Sequence, residues 1–563
     1  MAKRRKVKKR GIGILCLLII MVIVGFSLMN YISNKKFLSE YYNAYLASDT
    51  TTVDLYNEEK IKVDSQIRGK EVLVYKNVLV DDYVKIKIND QIYYVEQDYL
   101  TEEKQSIVQE KEVYVRTSYN LKESIDSPHL LSLCNKGDKL TIVGYDYLNS
   151  DGTVNMYKVE TDNKETGYFY KKYTVSTHEE SLLNYDSEGI YKIHASKKDS
   201  YGGGDGASLD YYPVIKPTFE DNPMPENVYS LYLNGTKEVI SNVSKYIEYA
   251  KTTKINAFVV DIKDSGVTAY ASPLMKEVSP TSYKKALNSL ESYQNAIKEI
   301  KNAGFYVIGR ITTFKDTYYV SDHKEIAISN NDGSPMLHQK SYWPSAYNRD
   351  VWEYNVNLAK EAVELMGFNE IQFDYVRFPD GLRTKEKNKQ VDYKNEYSET
   401  KAQAIQRFLM YATNELHELN VYVSADVFGE SSWGYVPSYG QYWPSISNVV
   451  DVISAMPYTD HFGNSYGGHS NPWEYPYDTM KTWGLTAVAR QKEIPTPAIA
   501  RTWITAYNTP YWGAYVTYNG DKLTSQIEAL YDVGLKGGYM TWNSASSLSK
   551  YQKQQSAFTK EYE

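Results

Sequence analysis

The chain has 563 residues, 42% of them hydrophobic and 24% charged, which excludes a disordered chain and leaves room for about two to four domains. Two cysteines are too few for a disulfide scaffold or a Cys-rich zinc module. The net charge of −7 is unevenly divided: the first ten residues hold seven Lys and Arg, so the other 553 carry −14, which argues against nucleic acid as a partner. Residues 11–34 carry no charge, and Ile12 to Met29 is nearly unbroken apolar sequence. A run of about 20 apolar residues spans a bilayer as one helix, and basic residues before it stay cytoplasmic. The expectation is a cytoplasmic segment at 1–10, a transmembrane anchor at 11–34, and everything beyond outside the cell membrane. A cleaved signal peptide would have a shorter apolar core of about 7–15 residues and a small-x-small site, and Phe26 to Tyr31 offers no clean Ala-x-Ala. Cys16 in the span cannot pair with Cys134 outside, and an exported chain without disulfides suits a Gram-positive-type surface.

Residues 35–60 are polar and Tyr-rich and read as a stalk. From 61 to 175 short runs alternate at period two, among them Glu71–Lys76, Val84–Ile88, Ile92–Val95, Lys139–Val143 and Thr166–Tyr170. Asn135-Lys-Gly-Asp138 and Asn149-Ser-Asp-Gly152 supply hairpin-type turns. The segments VYVRTSYN, KGDKLTIVGYD and MYKVETDNKETGYFYKKYT resemble bacterial SH3-like modules, and 61–101 is similar to a shorter copy. The resemblance implies one or two small all-β modules, with a cell-wall ligand or a spacer role as the two readings. Residues 176–225, with Gly202-Gly-Gly-Asp-Gly206 and four prolines, read as a linker or an ordered collar on the next domain.

From 226 to 563 apolar strands alternate with amphipathic helices. The strand candidates are Tyr229–Leu233, Ala257–Ile262, Tyr306–Thr312, Glu370–Val376, Val421–Val427, Val450–Met456, Pro497–Trp503 and Gly538–Trp542. Helical patterns run over Thr236–Thr252, Ser282–Ala303, Arg349–Met366, Glu399–Leu419 and Ser525–Val533. Near-continuous Val/Ile/Phe strands in eight βα units predict an α/β fold of the (β/α)8 TIM-barrel type. A doubly wound sheet is the rival, without a Gly-rich nucleotide turn after its first strand.

In such a barrel the chemistry sits at the carboxyl ends of the strands. Those ends hold Asp261, Lys263 and Asp264; Arg310; Asp374 and Arg377; Asp426 and Glu430; Tyr458 and His461; Arg501 and Trp503; and Trp542. Carboxylates, arginines and aromatic rings are the mixture that glycoside hydrolysis needs: one carboxyl protonates the leaving oxygen, another attacks or activates water, and ring faces stack on sugars. None of the eight histidines makes a His-Glu-x-x-His pair, and no Gly-x-Ser-x-Gly elbow is present, so neither a metal nor a serine nucleophile is indicated and no cofactor is implied.

The segments VVDIKDSGVTAYASP (259–273), GFYVIGRITTFKD (304–316), WPSAYNRDVWEYNVNLAKEAVELMGFNEIQFDYVRFPDG (343–381), VSADVFGE (423–430), ISAMPYTDHFG (453–463) and PAIARTWI (497–504) resemble a family of bacterial glycosyl hydrolase-type barrels catalogued as a domain of unknown function. Its fold is similar to the α-amylase-like superfamily. The resemblance implies a glycosidase-like barrel acting on a polysaccharide, and does not name the sugar. It makes Asp374 the nucleophile of a retaining mechanism and Asp426 the acid/base, where such barrels usually carry Glu, with Glu430 as a second candidate acid. Arg377 would lower the pKa of Asp374; amylase-like enzymes instead carry an Arg two residues before the nucleophile, where this chain has Gln372. Asp261, Lys263, Asp264 and Arg310 would line a donor subsite with Arg501 opposite and His461 as a sugar contact. Trp343, Tyr458, Trp503 and Trp542 are sugar-stacking candidates, each with a core reading beside it. Two functions stay open: a membrane-anchored glycosidase or transglycosidase of a wall or surface polysaccharide, and a catalytically silent barrel that binds glycan or organises the wall.

Overall fold

A computed structural model describes residues 36–563 except 37–38, 49, 51, 108–109, 147–148, 150–152 and 510–514. The expected anchor at 11–34 lies outside the described residues, among which no helix is long and apolar enough to cross a membrane. The chain forms two compact units.

The first unit is mainly β and holds two seven-stranded sheets, with a short α-helix at His178–Leu182. One runs, edge to edge, Lys62–Ile67, Thr52–Tyr56, Gln91–Glu96, Tyr83–Ile88, Glu71–Val80, Tyr41–Leu46, Leu100–Thr101. Its alternation is seen in Tyr83–Ile88, where Val84, Ile86 and Ile88 turn inward and Lys85 and Lys87 outward. The segment expected as a stalk is therefore corrected. Tyr41–Leu46 and Thr52–Tyr56 are strands of this sheet, and they bury Ala44, Leu46, Val53 and Leu55 in its core. The second sheet runs Leu130–Cys134, Tyr119–Lys122, Thr166–Tyr170, Met156–Thr161, Lys139–Tyr145, Glu112–Val115, Thr174–Val175. Asn135–Asp138 closes a tight turn with Gly137 at φ 94°, but the strands it joins are not neighbours in the sheet, so it is not a hairpin turn.

The second unit contains the barrel. Its strands are β1 (Val228–Leu233), β2 (Ala257–Asp264), β3 (Tyr306–Thr312), β4 (Glu370–Asp374), β5 (Tyr422–Phe428), β6 (Val452–Met456), β7 (Ile499–Ala500 and Thr502–Thr505) and β8 (Gly538–Trp542). Helices alternate with them: α1 (Val243–Ala250), α2 (Leu290–Asn302), α3 (Arg349–Met366), α4 (Lys401–His417), α5 (Trp443–Ser447), α6 (Pro476–Gln491), α7 (Gly520–Asp532) and α8 (Leu548–Lys553). All eight strands fall where the apolar runs predicted them, because a parallel strand covered on both faces needs apolar side chains throughout. The two longest predicted helices between β1 and β3 each divide in two, the first at Ser241-Asn242 and the second at 284–289.

The strands pair in parallel in sequence order, and β8 pairs with β1. β7 completes the ring in two pieces. Ile499–Ala500 bonds to β6, Arg501 interrupts, and Thr502–Thr505 bonds to β8. Residues 184–225 belong to this unit and form a collar, not a free linker. His194 is buried against Tyr211 and bonds Tyr442 Oη (2.8 Å) and the Glu493 carbonyl (2.9 Å). Lys216 Nζ donates to the carbonyls of Asn448 and Val450 at 2.9 and 2.7 Å.

Gly538 marks the tightest point of closure. Its φ is +95°, and a Cβ there would stand 2.0 Å from the Val228 carbonyl oxygen of the paired β1 residue. Gly538→Ala is therefore expected to cost about 3 kcal/mol or more of stability, through a disfavoured backbone conformation and a steric clash together. Denaturant unfolding of the two forms checks this.

Candidate active site

The site is built on one guanidinium. Arg310, near the end of β3, is 2% exposed and reaches three neighbouring strands. Its Nη1 donates to Asp261 Oδ1 on β2 at 2.7 Å. Its Nη2 and Nε both donate to Asp374 Oδ2 at the end of β4, at 2.5 and 3.2 Å. Nε also stands 3.8 Å from Asp426 Oδ2 on β5, so Asp374 and Asp426 share one small space. The planar fork of Arg suits this; a lysine has no second nitrogen to divide between carboxylates. Burial lowers the basicity of Arg310, but Asp374 and Asp261 override it and hold the guanidinium above its ordinary value.

The carboxyls are held differently. Asp374 Oδ1 accepts the amide of Tyr375 at 2.5 Å, and Tyr375 sits at φ +49°, turning the chain away just after the carboxylate. Asp426 is 1% exposed; its Oδ1 accepts Trp503 Nε1 at 2.7 Å and its Oδ2 has no hydrogen-bond partner. Burial first, and then the charge of Asp374, push Asp426 well above the usual carboxylate range, against the pull of Arg310. Asp426 is thus biased toward its protonated form, with Oδ2 unengaged, beside the arginine-paired Asp374. Burial also pushes Asp261 up to about 6, although Arg310 and the Tyr232 hydroxyl (2.5 Å from Oδ2) draw it down.

Aromatic rings wall this group. Tyr232 lies 4.7 Å from Trp542, Trp503 meets Trp542 edge-on at 5.7 Å, and Tyr458 stacks toward Trp542 at 6.3 Å. Arg310 lies under the faces of Trp542 (5.4 Å) and Tyr232 (5.8 Å). Of these rings Trp542 is only partly buried, while Trp503 and Tyr458 are buried. Sequence reasoning misses Tyr232. Its position in a β1 apolar run reads as core, and only its hydroxyl distinguishes it.

Several expected site residues lie elsewhere. Lys263 is fully buried and bonds Asp316 Oδ2 (2.8 Å), Asn355 Oδ1 (2.9 Å) and Tyr354 Oη (3.2 Å). The reason is a bulge. Asp261 pairs with Arg310 but Lys263 pairs with Ile311, so one extra β2 residue reverses the alternation and turns Lys263 out of the lumen. Arg501 is also fully buried. Its Nη1 is shared between Glu370 Oε1 and Oε2 (2.8 and 2.9 Å), so it ties the break in β7 to the first residue of β4 and does not face a donor subsite. Arg377 donates to Asp380 (3.0 Å) and lies 4.4 Å over the Phe428 ring; the cation on Asp374 is Arg310 instead. Trp343 is 1% exposed, packs with Ile328, Met336 and Leu382, and donates to the His338 carbonyl, so it is core and no sugar platform. Asp264 is exposed at the rim, 3.8 Å from Arg310 Nη1. Glu430 and His461 line a neighbouring cavity between the ends of β5 and β6. Gln372 points into the lumen, bonded to Ser454 Oγ at 3.2 Å.

A near-closed parallel barrel with carboxyl groups and rings gathered at its strand ends is of the glycoside-hydrolase kind. The family described as "Putative glycosyl hydrolase domain" matches residues 230–548, and the chain belongs to it. No curated protein matches the chain. Among solved structures, the chain is similar to a hypothetical protein from Ruminiclostridium thermocellum ATCC 27405, with 35% identity over 35% of this chain and 97% of that one and a TM-score of 0.30. It is similar to the glycoside hydrolase domain of PgaB (BpsB) from Bordetella bronchiseptica, with 14% identity, 60% and 100% of the two chains covered and a TM-score of 0.43. It is also similar to a class V chitininase from Pseudomonas fluorescens Pf-5, with 13% identity, 59% and 99% covered and a TM-score of 0.37.

Two outcomes test this electrostatic arrangement. Arg310→Gln leaves Asp261 and Asp374 buried without their cation, and is expected to cost about 3–5 kcal/mol at neutral pH by denaturant unfolding, with a smaller loss at pH 4, where Asp261, pushed by burial up to about 6, is protonated. Asp374→Asn removes the charge that helps raise Asp426. Carboxyl-carbon NMR should then show Asp426 titrating at lower pH than in the unaltered protein, though still above the ordinary range because it stays buried.

Proposed function

We propose that the protein is a membrane-anchored extracellular glycoside hydrolase of a cell-wall or surface polysaccharide, with Asp374 as nucleophile and Asp426 as acid/base. The observation that carries this is the contrast between two neighbouring carboxyls: Asp374 is paired with Arg310, while Asp426 is driven to its protonated form with Oδ2 unengaged. Glycosidases need carboxyls in these two states. In the first step Asp374 attacks the anomeric carbon while the Asp426 Oδ2 proton passes to the departing glycosidic oxygen. In the second, Asp426 takes a proton from water, the water oxygen displaces Asp374, and both carboxyls regain their starting states. Trp542, the partly open ring above Arg310, is the sugar platform. Residues 1–34 would hold the chain at the membrane, and the two β sheets would act as SH3-like readers of a wall ligand.

The test is release of reducing sugar from purified envelope polysaccharides. Asp374→Asn and Asp426→Asn should each lower kcat by about a thousandfold or more. For Asp426→Asn, glycosides with a good leaving group, which need no proton, should recover much of the loss. Full turnover by both variants would overturn the assignment, and binding without release by the unaltered protein would establish a silent glycan-binding barrel instead.

A further inference from the structure

Next to the paired carboxyls lies a cavity of about 330 Å³ that the proposed cleavage does not use. It opens between the ends of β5 and β6, and Met456 joins the two: it lines the cavity and also packs against the cluster holding Tyr458 and Trp503. Its walls are largely ring faces. Phe462 and Tyr466 stack at 4.2 Å with 14° between their planes, and Trp433 is half-buried at the end of the same turn that carries Glu430, its amide donating to the Glu430 carbonyl at 2.9 Å.

Two polar groups in this apolar setting are unexplained by the fold. The Tyr466 hydroxyl is buried with no hydrogen-bond partner, which a folded chain seldom tolerates unless a ligand supplies one. Glu430 is held by hydroxyls of Tyr435 and Tyr439 (the latter at 3.0 Å), and among the described residues no lysine or arginine is paired with it. The nearby Arg377 is engaged by Asp380. A carboxylate accepts hydrogen bonds and cannot donate them, and an uncompensated anion among aromatic faces favours a cation. The volume suits one pyranose ring with a small substituent.

We propose that this cavity is a sugar subsite beside the cleavage site that takes a hexosamine with a free amino group, its ammonium on Glu430, its ring on Trp433 and a hydroxyl on Tyr466. This rests on the glycosidase reading, and it makes the substrate a polysaccharide with unacetylated amino sugars. The test is ligand-observed NMR titration of the full chain carrying Asp374→Asn, so that binding is read without turnover. The probes are methyl β-glucosaminide and methyl β-N-acetylglucosaminide. The free amine should bind about tenfold or more tightly than the acetamide. Glu430→Gln should abolish that preference, and Tyr466→Phe should weaken both sugars a few-fold while keeping it. Equal binding of the two sugars, no binding of either, or an amine preference that survives Glu430→Gln overturns the subsite. Failure of the cleavage assay with this preference intact would overturn the hydrolase reading and leave the subsite standing.

Discussion

Three carboxyl groups and one guanidinium occupy the dry upper lumen of the barrel, and that imbalance governs the site. Arg310 is within hydrogen-bonding distance of Asp261 and Asp374 and within 4 Å of Asp426. One positive charge cannot neutralise three negative charges where water is excluded, so protons must make up the difference. They go to the carboxyls with the weakest hold on the cation. Asp426 is raised far above its ordinary range and Asp261 to about 6, while Asp374, with two nitrogens on one oxygen, has the firmest pairing. The division of roles in the proposed chemistry follows from this competition, without a different residue type for each role.

The aromatic enclosure makes the competition severe. Trp503 spends its only donor on Asp426 Oδ1, leaving Oδ2 as the outlet for the proton, whereas Asp261 has both oxygens engaged, Oδ2 by the Tyr232 hydroxyl and Oδ1 by Arg310. These rings exclude water from the carboxyls and also form the wall against which a sugar would rest, so desolvation and recognition share residues. The strands supply the rigidity this needs, since Asp261, Arg310, Asp374 and Asp426 each stand on a β strand bonded to its neighbours.

Much of this was legible in the residues. The barrel strands could be read because burial on both faces demands unbroken apolar runs, and Asp261, Arg310, Asp374 and Asp426 stood out as charges where those runs end. The segment around Tyr41–Tyr56 misled because its strands are half-exposed and tyrosine-rich, although Ala44, Leu46, Val53 and Leu55 already alternate at period two. Lys263, Arg501 and Trp343 misled for other reasons. A charge near a strand end can face the lumen or the helical layer, and composition does not show that Lys263 turns to Asn355 on α3. Arg501 is taken up by Glu370, a partner 131 residues away in sequence, and Trp343 lies between β3 and α3, on no strand, where a core ring and an exposed one read alike.

The extra residue in β2 has a wider meaning. It lets two charged residues of one strand, Asp261 and Lys263, serve opposite sides of the barrel wall, one against Arg310 and the other against Asp316. Without that offset the amine would share the lumen with Arg310, the excess of negative charge would shrink, and Asp426 would have less cause to keep its proton. The acidity of the pocket is thus encoded partly in spacing. A relative could alter its working pH by inserting or losing a single residue in this strand, with every charged side chain retained.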